Sequence, residues 1–150
     1  VECLKTSDHF FVVILPNNDP GSEDILKEIE VLPKDQFRVL PSIRFNYFSE
    51  LMKNASLIVG NSSMGVREAP FLGIPSINIG SRQLNRSNAP SIQHINANDS
   101  AKINEVIEKY WGVLHPCSDQ FGNGGACEAF IKILESGKMW EKPPQKYFAD

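Results

Sequence analysis

The segment Gly60-Asn-Ser-Ser-Met-Gly65 places small and hydroxyl-bearing residues between an apolar run and a helical pattern. Free backbone amides at such a helix N-terminus, with the hydroxyls of Ser62 and Ser63 beside them, suit an anion and in particular a diphosphate. The positive end of a helix dipole adds roughly 0.3 to 1 kcal/mol per anionic interaction near the surface. A purely structural reading also fits, in which a serine caps the helix and Gly65 only eases its packing. Glu68 follows the serines by five or six residues, about one and a half helical turns, so it can face the same cleft at greater depth. A carboxylate repels phosphate but accepts hydroxyl hydrogen bonds, which suits a sugar diol; the alternative is a solvated helix residue paired with Arg67. Further along, Gly80-Ser-Arg-Gln-Leu-Asn-Arg86 offers Arg82 and Arg86, whose guanidinium forks match phosphate oxygens but would equally be solvated on an exposed loop.

Other chemistries are poorly served. His9, His94 and His115 lie far apart without a ligand-spaced partner, so no metal site is expected. Cys3, Cys117 and Cys127 form no CxxC pair and give an odd count, which argues against a disulfide framework and fits a reducing cytoplasm. The 15 Lys and Arg against 18 Asp and Glu leave a formal charge of -3 with no basic block, arguing against a nucleic-acid partner. Apolar runs such as Phe10 to Leu15 fall far short of the ~20 residues that span a bilayer, and no signal-peptide pattern opens the chain, so no membrane role is expected. In that setting the sequons at Asn54, Asn61, Asn85 and Asn98 are chance matches.

The elements that must hold these loops follow from periodicity. At 150 residues and 41% hydrophobic composition the chain is one domain's worth of globular protein. Phe10 to Leu15 is a continuous apolar run of the kind expected for a central strand buried on both faces. A helix follows, with Asp19 as cap, Pro20 in its first position, and Ile25, Leu26, Ile29 and Leu32 along one face. Phe37 to Leu40 reads as a strand, and 45–55 as a helix presenting Phe45, Phe48, Leu51, Met52 and Ala55 on one face. Strands at 56–60, 75–79 and 91–96 alternate with helices at 63–72 and 102–111, the latter capped by Asp99, and a last helix covers 124–136. Alternation across short loops predicts βαβ units and an α/β, Rossmann-like three-layer domain with a mainly parallel sheet. Ligands bind beyond the carboxyl ends of such strands, so loops 16–21, 41–44, 60–65 and 80–86 should line one edge.

Taken together, Gly60-Asn-Ser-Ser-Met-Gly-Val-Arg-Glu-Ala-Pro70, Leu72-Gly-Ile-Pro75 and Ile77-Asn-Ile-Gly-Ser-Arg-Gln83 resemble the hydrolysing UDP-N-acetylglucosamine 2-epimerases. Pro16-Asn-Asn-Asp-Pro-Gly-Ser22, Phe121-Gly-Asn-Gly124 and Gln145-Lys-Tyr-Phe148 extend the likeness over almost the whole chain. The resemblance implies that residues 1–150 form the UDP-binding carboxyl-terminal domain of a two-domain enzyme of glycosyltransferase-B arrangement. The amino-terminal domain, absent from this sequence, would be a partner and would carry most of the acidic catalytic groups. The implied reaction is loss of UDP to give a glycal, then hydration to N-acetylmannosamine for sialic acid synthesis, with no cofactor. By the same resemblance Ser62 and Ser63 would bind the diphosphate, Glu68 the ribose hydroxyls, and Arg82 the phosphates or sugar. Asn17 and the backbone near Ile43 would meet the nucleoside; from the sequence alone Ile43 is equally plain core packing.

Many members of that family carry Gly-Arg where this chain reads Asn85-Arg86, a variant associated with bacterial relatives of the sialic and legionaminic acid pathways. A UDP-linked 2,4-diacetamido-trideoxyhexose is therefore an alternative substrate. Two other classes remain open: the donor-binding domain of an ordinary glycosyltransferase, and a nucleotide-binding module without chemistry. The unpaired interdomain face of such a half-enzyme is compatible with a homo-oligomer.

Overall fold

The computed structural model describes residues 2–16 and 20–141. The chain falls into two compact units, Val1–Ser118 and Asp119–Asp150. The first opens with a 3-10 turn, Glu2–Thr6, and then runs β1 (Phe11–Ile14), α1 (Ser22–Glu30), β2 (Phe37–Leu40), α2 (Phe45–Lys53), β3 (Ile58–Gly60), α3 (Met64–Phe71), β4 (Ser76–Ile79), β5 (Ile92–Ile95) and α4 (Ser100–Tyr110). The second holds α5 (Ala126–Glu135), none of whose residues is buried.

Every strand pairing among the described residues is parallel, as the βαβ reading requires. The strands form two sheets, β1-β2 and β3-β4-β5. β1 is consequently not a central strand: its described pairing is with β2 alone, and Val12 is 38% exposed. A run of apolar residues cannot by itself tell a strand flanked on both sides from one at an edge.

The three-stranded sheet is the middle of three layers. Ile77 of β4 and Ile95 of β5 pack on Ile103, Val106 and Ile107 of α4. Ile92, three residues from Ile95 and so on the opposite face of the strand, packs with Val66 of α3. On that same side Ala69 of α3 joins Met52 of α2 and Ile74. The β1-β2 sheet packs Phe37 against Ile29 of α1 and Leu32, and Leu4 touches this core as well as the one under α4.

Two helix boundaries are set by local capping. Asp99 accepts a hydrogen bond from Lys102 N at 3.0 Å, the N-cap its position predicts. Gly73 closes α3: it has φ +71°, Ile74 N donates to Ala69 O and Gly73 N to Pro70 O, the paired bonds of a Schellman motif. The start of α1 differs from expectation. Gly21 is its N-cap and the helix begins at Ser22, so Pro20 lies in the preceding turn, and Asp19 falls outside the described residues. Two residues assigned to buried faces are exposed, Ile25 in α1 and Phe45, which opens α2 beyond the reach of the core that holds Phe48 and Met52.

No described helix is long and apolar enough to cross a membrane. The three cysteines are free thiols.

Candidate functional site

β3, β4 and β5 run parallel, with Gly60 opposite Asn78 and Gly80 N donating to Ile95 O at 2.9 Å. The loops that leave β3 and β4 therefore emerge at one carboxyl edge, where ligands of parallel α/β folds bind. The first loop, 61–63, leads straight into α3. Ser62 is exposed and Ser63 half-buried. Ser63 occupies the N-cap position in helical conformation, and no side chain caps the helix there. Its hydroxyl is therefore not engaged in the structural role open to it, while its carbonyl accepts from Val66 N and Arg67 N. Aligned peptide dipoles and uncapped amides leave this end of α3 with the character of an anion site.

Gly65 is not demanded by packing. A Cβ built on it would meet Ser76 Cβ at 3.6 Å and Ile58 Cγ2 at 3.8 Å, ordinary van der Waals distances. The Gly65 carbonyl accepts a hydrogen bond from Ser76 Oγ, which ties the first turn of α3 to β4.

Glu68 is half-buried on α3, and its Oε2 atom is buried with no hydrogen-bond partner. An unpartnered buried carboxylate oxygen costs free energy that the fold does not recover, on the order of 1 to 3 kcal/mol. Such an atom is a ready acceptor for a ligand's hydroxyl.

The loop after β4 is better built than its polar sequence suggests. Gln83 is only 1% exposed; its Nε2 donates to Asn61 O at 2.9 Å, and its Oε1 accepts from Arg86 Nη1 at 3.2 Å. Arg86 is thus held, whereas Arg82 is exposed and makes no described hydrogen bond or ion pair. The residue types single out the arginines and not Gln83, because nothing in the polar run that follows Gly80 marks one amide as buried. Asn78, also buried, places Nδ2 at 2.9 Å from His94 Nδ1 and leaves Oδ1 without a partner.

Asn85 has φ +62°, the one non-glycine residue with positive φ among those described. Asparagine tolerates this left-handed conformation better than other side chains. A glycine would meet the same backbone requirement at this position. Asn85→Gly is expected to leave stability within about 0.5 kcal/mol, and Asn85→Val to cost roughly 1 to 2 kcal/mol, as read from urea midpoints.

Ile43 is half-buried on the loop that leaves β2, and Asn17 lies outside the described residues. No described group of three His, Cys, Asp or Glu residues could hold a metal ion.

Parallel strands with helices on both faces of a sheet define a Rossmann-like α/β domain, and its carboxyl edge carries an uncapped helix start, with a half-buried carboxylate further along the same helix. Residues 1–135 match the UDP-N-acetylglucosamine 2-epimerase family, and the chain belongs to it. It is 39% identical to the UDP-N-acetylglucosamine 2-epimerase of Neisseria meningitidis serogroup B, over 99% of this chain and 40% of that protein. It is 30% identical to the polysialic acid biosynthesis protein P7 of Escherichia coli, over 95% of this chain and 38% of that one. Among solved structures, the Methanocaldococcus jannaschii UDP-GlcNAc 2-epimerase in complex with UDP-GlcNAc and UDP matches with a TM-score of 0.69 and 22% identity, over 91% of this chain and 38% of that one. That likeness supports the fold. The chain spans about two fifths of the length of these relatives.

Proposed function

We propose that this chain is the UDP-binding part of a hydrolysing UDP-N-acetylglucosamine 2-epimerase, working with a second Rossmann-like domain across a cleft. The observation that carries the proposal is the pairing, on one short helix, of an uncapped N-terminus at Ser62 and Ser63 with the unpartnered Oε2 of Glu68 one and a half turns on. A nucleoside diphosphate has the matching order of groups: anionic phosphates, then a ribose diol, then a base. Ser62, Ser63 and the amides of α3 hold the diphosphate, Glu68 accepts from the ribose hydroxyls, and Arg82 neutralises phosphate charge from the loop after β4. Asn17 and the Ile43 backbone take the nucleoside side.

In the proposed reaction the C1–O bond to the β-phosphate breaks as a proton leaves C2, giving UDP and a glycal. Water then adds its hydroxyl to C1 and a proton to C2 on the opposite face, giving N-acetylmannosamine. This chain's share is electrostatic. Negative charge grows on the departing diphosphate oxygen, and fixed amides and hydroxyls aimed there stabilise the transition state more than the ground state. The acid and base that move the protons belong to the other domain, so this chain alone binds UDP weakly and shows no turnover. The cytoplasm, where nucleotide sugars and free thiols coexist, is the expected location.

Ser63→Ala in the full-length protein is expected to weaken UDP by about 0.5 to 1.5 kcal/mol, the net worth of one hydrogen bond. Isothermal titration checks it, and an unchanged affinity would return Ser63 to a structural role.

A further inference from the structure

Gln83 is an uncharged amide that is almost wholly excluded from solvent, in a loop whose neighbours Ser81, Arg82, Leu84, Asn85 and Arg86 are all exposed. Burying an amide is unfavourable unless both its ends are bonded, and here they are: one to the serine loop, one to the arginine. The first bond has a directional consequence. A trans peptide is planar, with its C=O and N–H pointing opposite ways. Anchoring Asn61 O on Gln83 therefore turns the N–H of Ser62, in the same peptide plane, away from Gln83. The second bond holds one Nη of Arg86 and leaves its other donors free to face an anion.

We infer that Gln83 is a positioning residue of the diphosphate site, a single side chain that sets both the Ser62 amide and the Arg86 guanidinium. The inference rests on the proposed reading of the serine loop as a diphosphate site. It adds that the two arms are coupled through Gln83. Pre-orientation of donors matters because freely moving groups must be ordered at the expense of binding.

The test compares UDP with uridine as ligands of the full-length protein, using Gln83→Met, Gln83→Glu, Arg86→Met and the Gln83→Met/Arg86→Met double variant. Gln83→Met fills the space and removes both bonds; Gln83→Glu keeps the acceptor for Arg86 and loses the donor to Asn61. The expected result is about a tenfold loss of UDP affinity for Gln83→Met, a smaller loss for Gln83→Glu, and uridine affinity within twofold of the parent in both. The double variant is expected to lose less than the product of the single losses, because Gln83 acts partly through Arg86. A purely structural residue would instead lower UDP and uridine binding together, and that outcome overturns the inference. Should Gln83→Met fail to fold, Arg86→Met on the exposed loop still decides: unchanged UDP affinity in that variant overturns it. If the parent protein binds no UDP, the reading of the site itself fails, and that result is distinct from the others.

Discussion

Gly73→Ala, at the end of α3 remote from the serine loop, is expected to destabilise the protein by about 3 kcal/mol or more. The left-handed φ of +71° alone costs an alanine roughly 1 to 2 kcal/mol. The added Cβ would also stand 2.3 Å from the His115 carbonyl oxygen, a backbone atom with little room to move. That segment is pinned by His115 N donating to Gly73 O at 2.8 Å and Ser118 N donating to Pro70 O at 2.9 Å, so relief of the clash sacrifices hydrogen bonds worth about 1 kcal/mol each. Gly65→Ala, the same chemical change eight residues earlier, is the control. Its Cβ fits, and alanine gains roughly 0.5 to 1 kcal/mol over glycine within a helix. Urea denaturation should move the two midpoints in opposite directions. Equal midpoints for Gly73→Ala and the parent would mean that the close approach of residue 115 does not exist in solution.

Glu68→Ala is expected to weaken UDP more than tenfold without lowering stability. A carboxylate receiving two ribose hydroxyls makes charge-assisted bonds worth about 1.5 to 3 kcal/mol each, and both are lost together. The folded protein loses nothing comparable, since Oε2 has no partner to give up. Removing a buried, unsatisfied oxygen relieves a cost, so the melting temperature should hold or rise. The 2′,3′-dideoxy analogue of UDP isolates the contact: the parent should discriminate strongly against it, and Glu68→Ala should not. Equal discrimination by both proteins would remove Glu68 from the ribose, and a large fall in melting temperature would give it a structural role.

The parts of the fold readable in the sequence were those set by local chemistry. Asp99 followed by an apolar 3.6-residue pattern marks the start of α4, and Gly73 followed by Pro75 marks the end of α3, because caps are decided within one turn. That Glu68 lies on α3 was legible for the same reason, whereas the burial of its unpartnered Oε2 was not. Division of five strands into sheets of two and three was not readable, since pairing depends on tertiary geometry that an apolar run such as Phe11–Ile14 does not encode. Nor was Gln83. Its burial arises from two bonds to residues 22 positions before and three after, and only folding brings these together. The left-handed φ of Asn85 was likewise not legible, because no residue pattern around it announces the turn.

Proton NMR of UDP-N-acetylglucosamine with the full-length protein in deuterated water separates a hydrolysing epimerase from its alternatives. Free UDP and N-acetylmannosamine are expected in equal amounts, with deuterium at C2 of the released sugar, because the C2 proton is lost to form the glycal and replaced from solvent. Accumulation of UDP-N-acetylmannosamine without free UDP, or release of UDP only when an acceptor sugar is added, would contradict the proposed reaction.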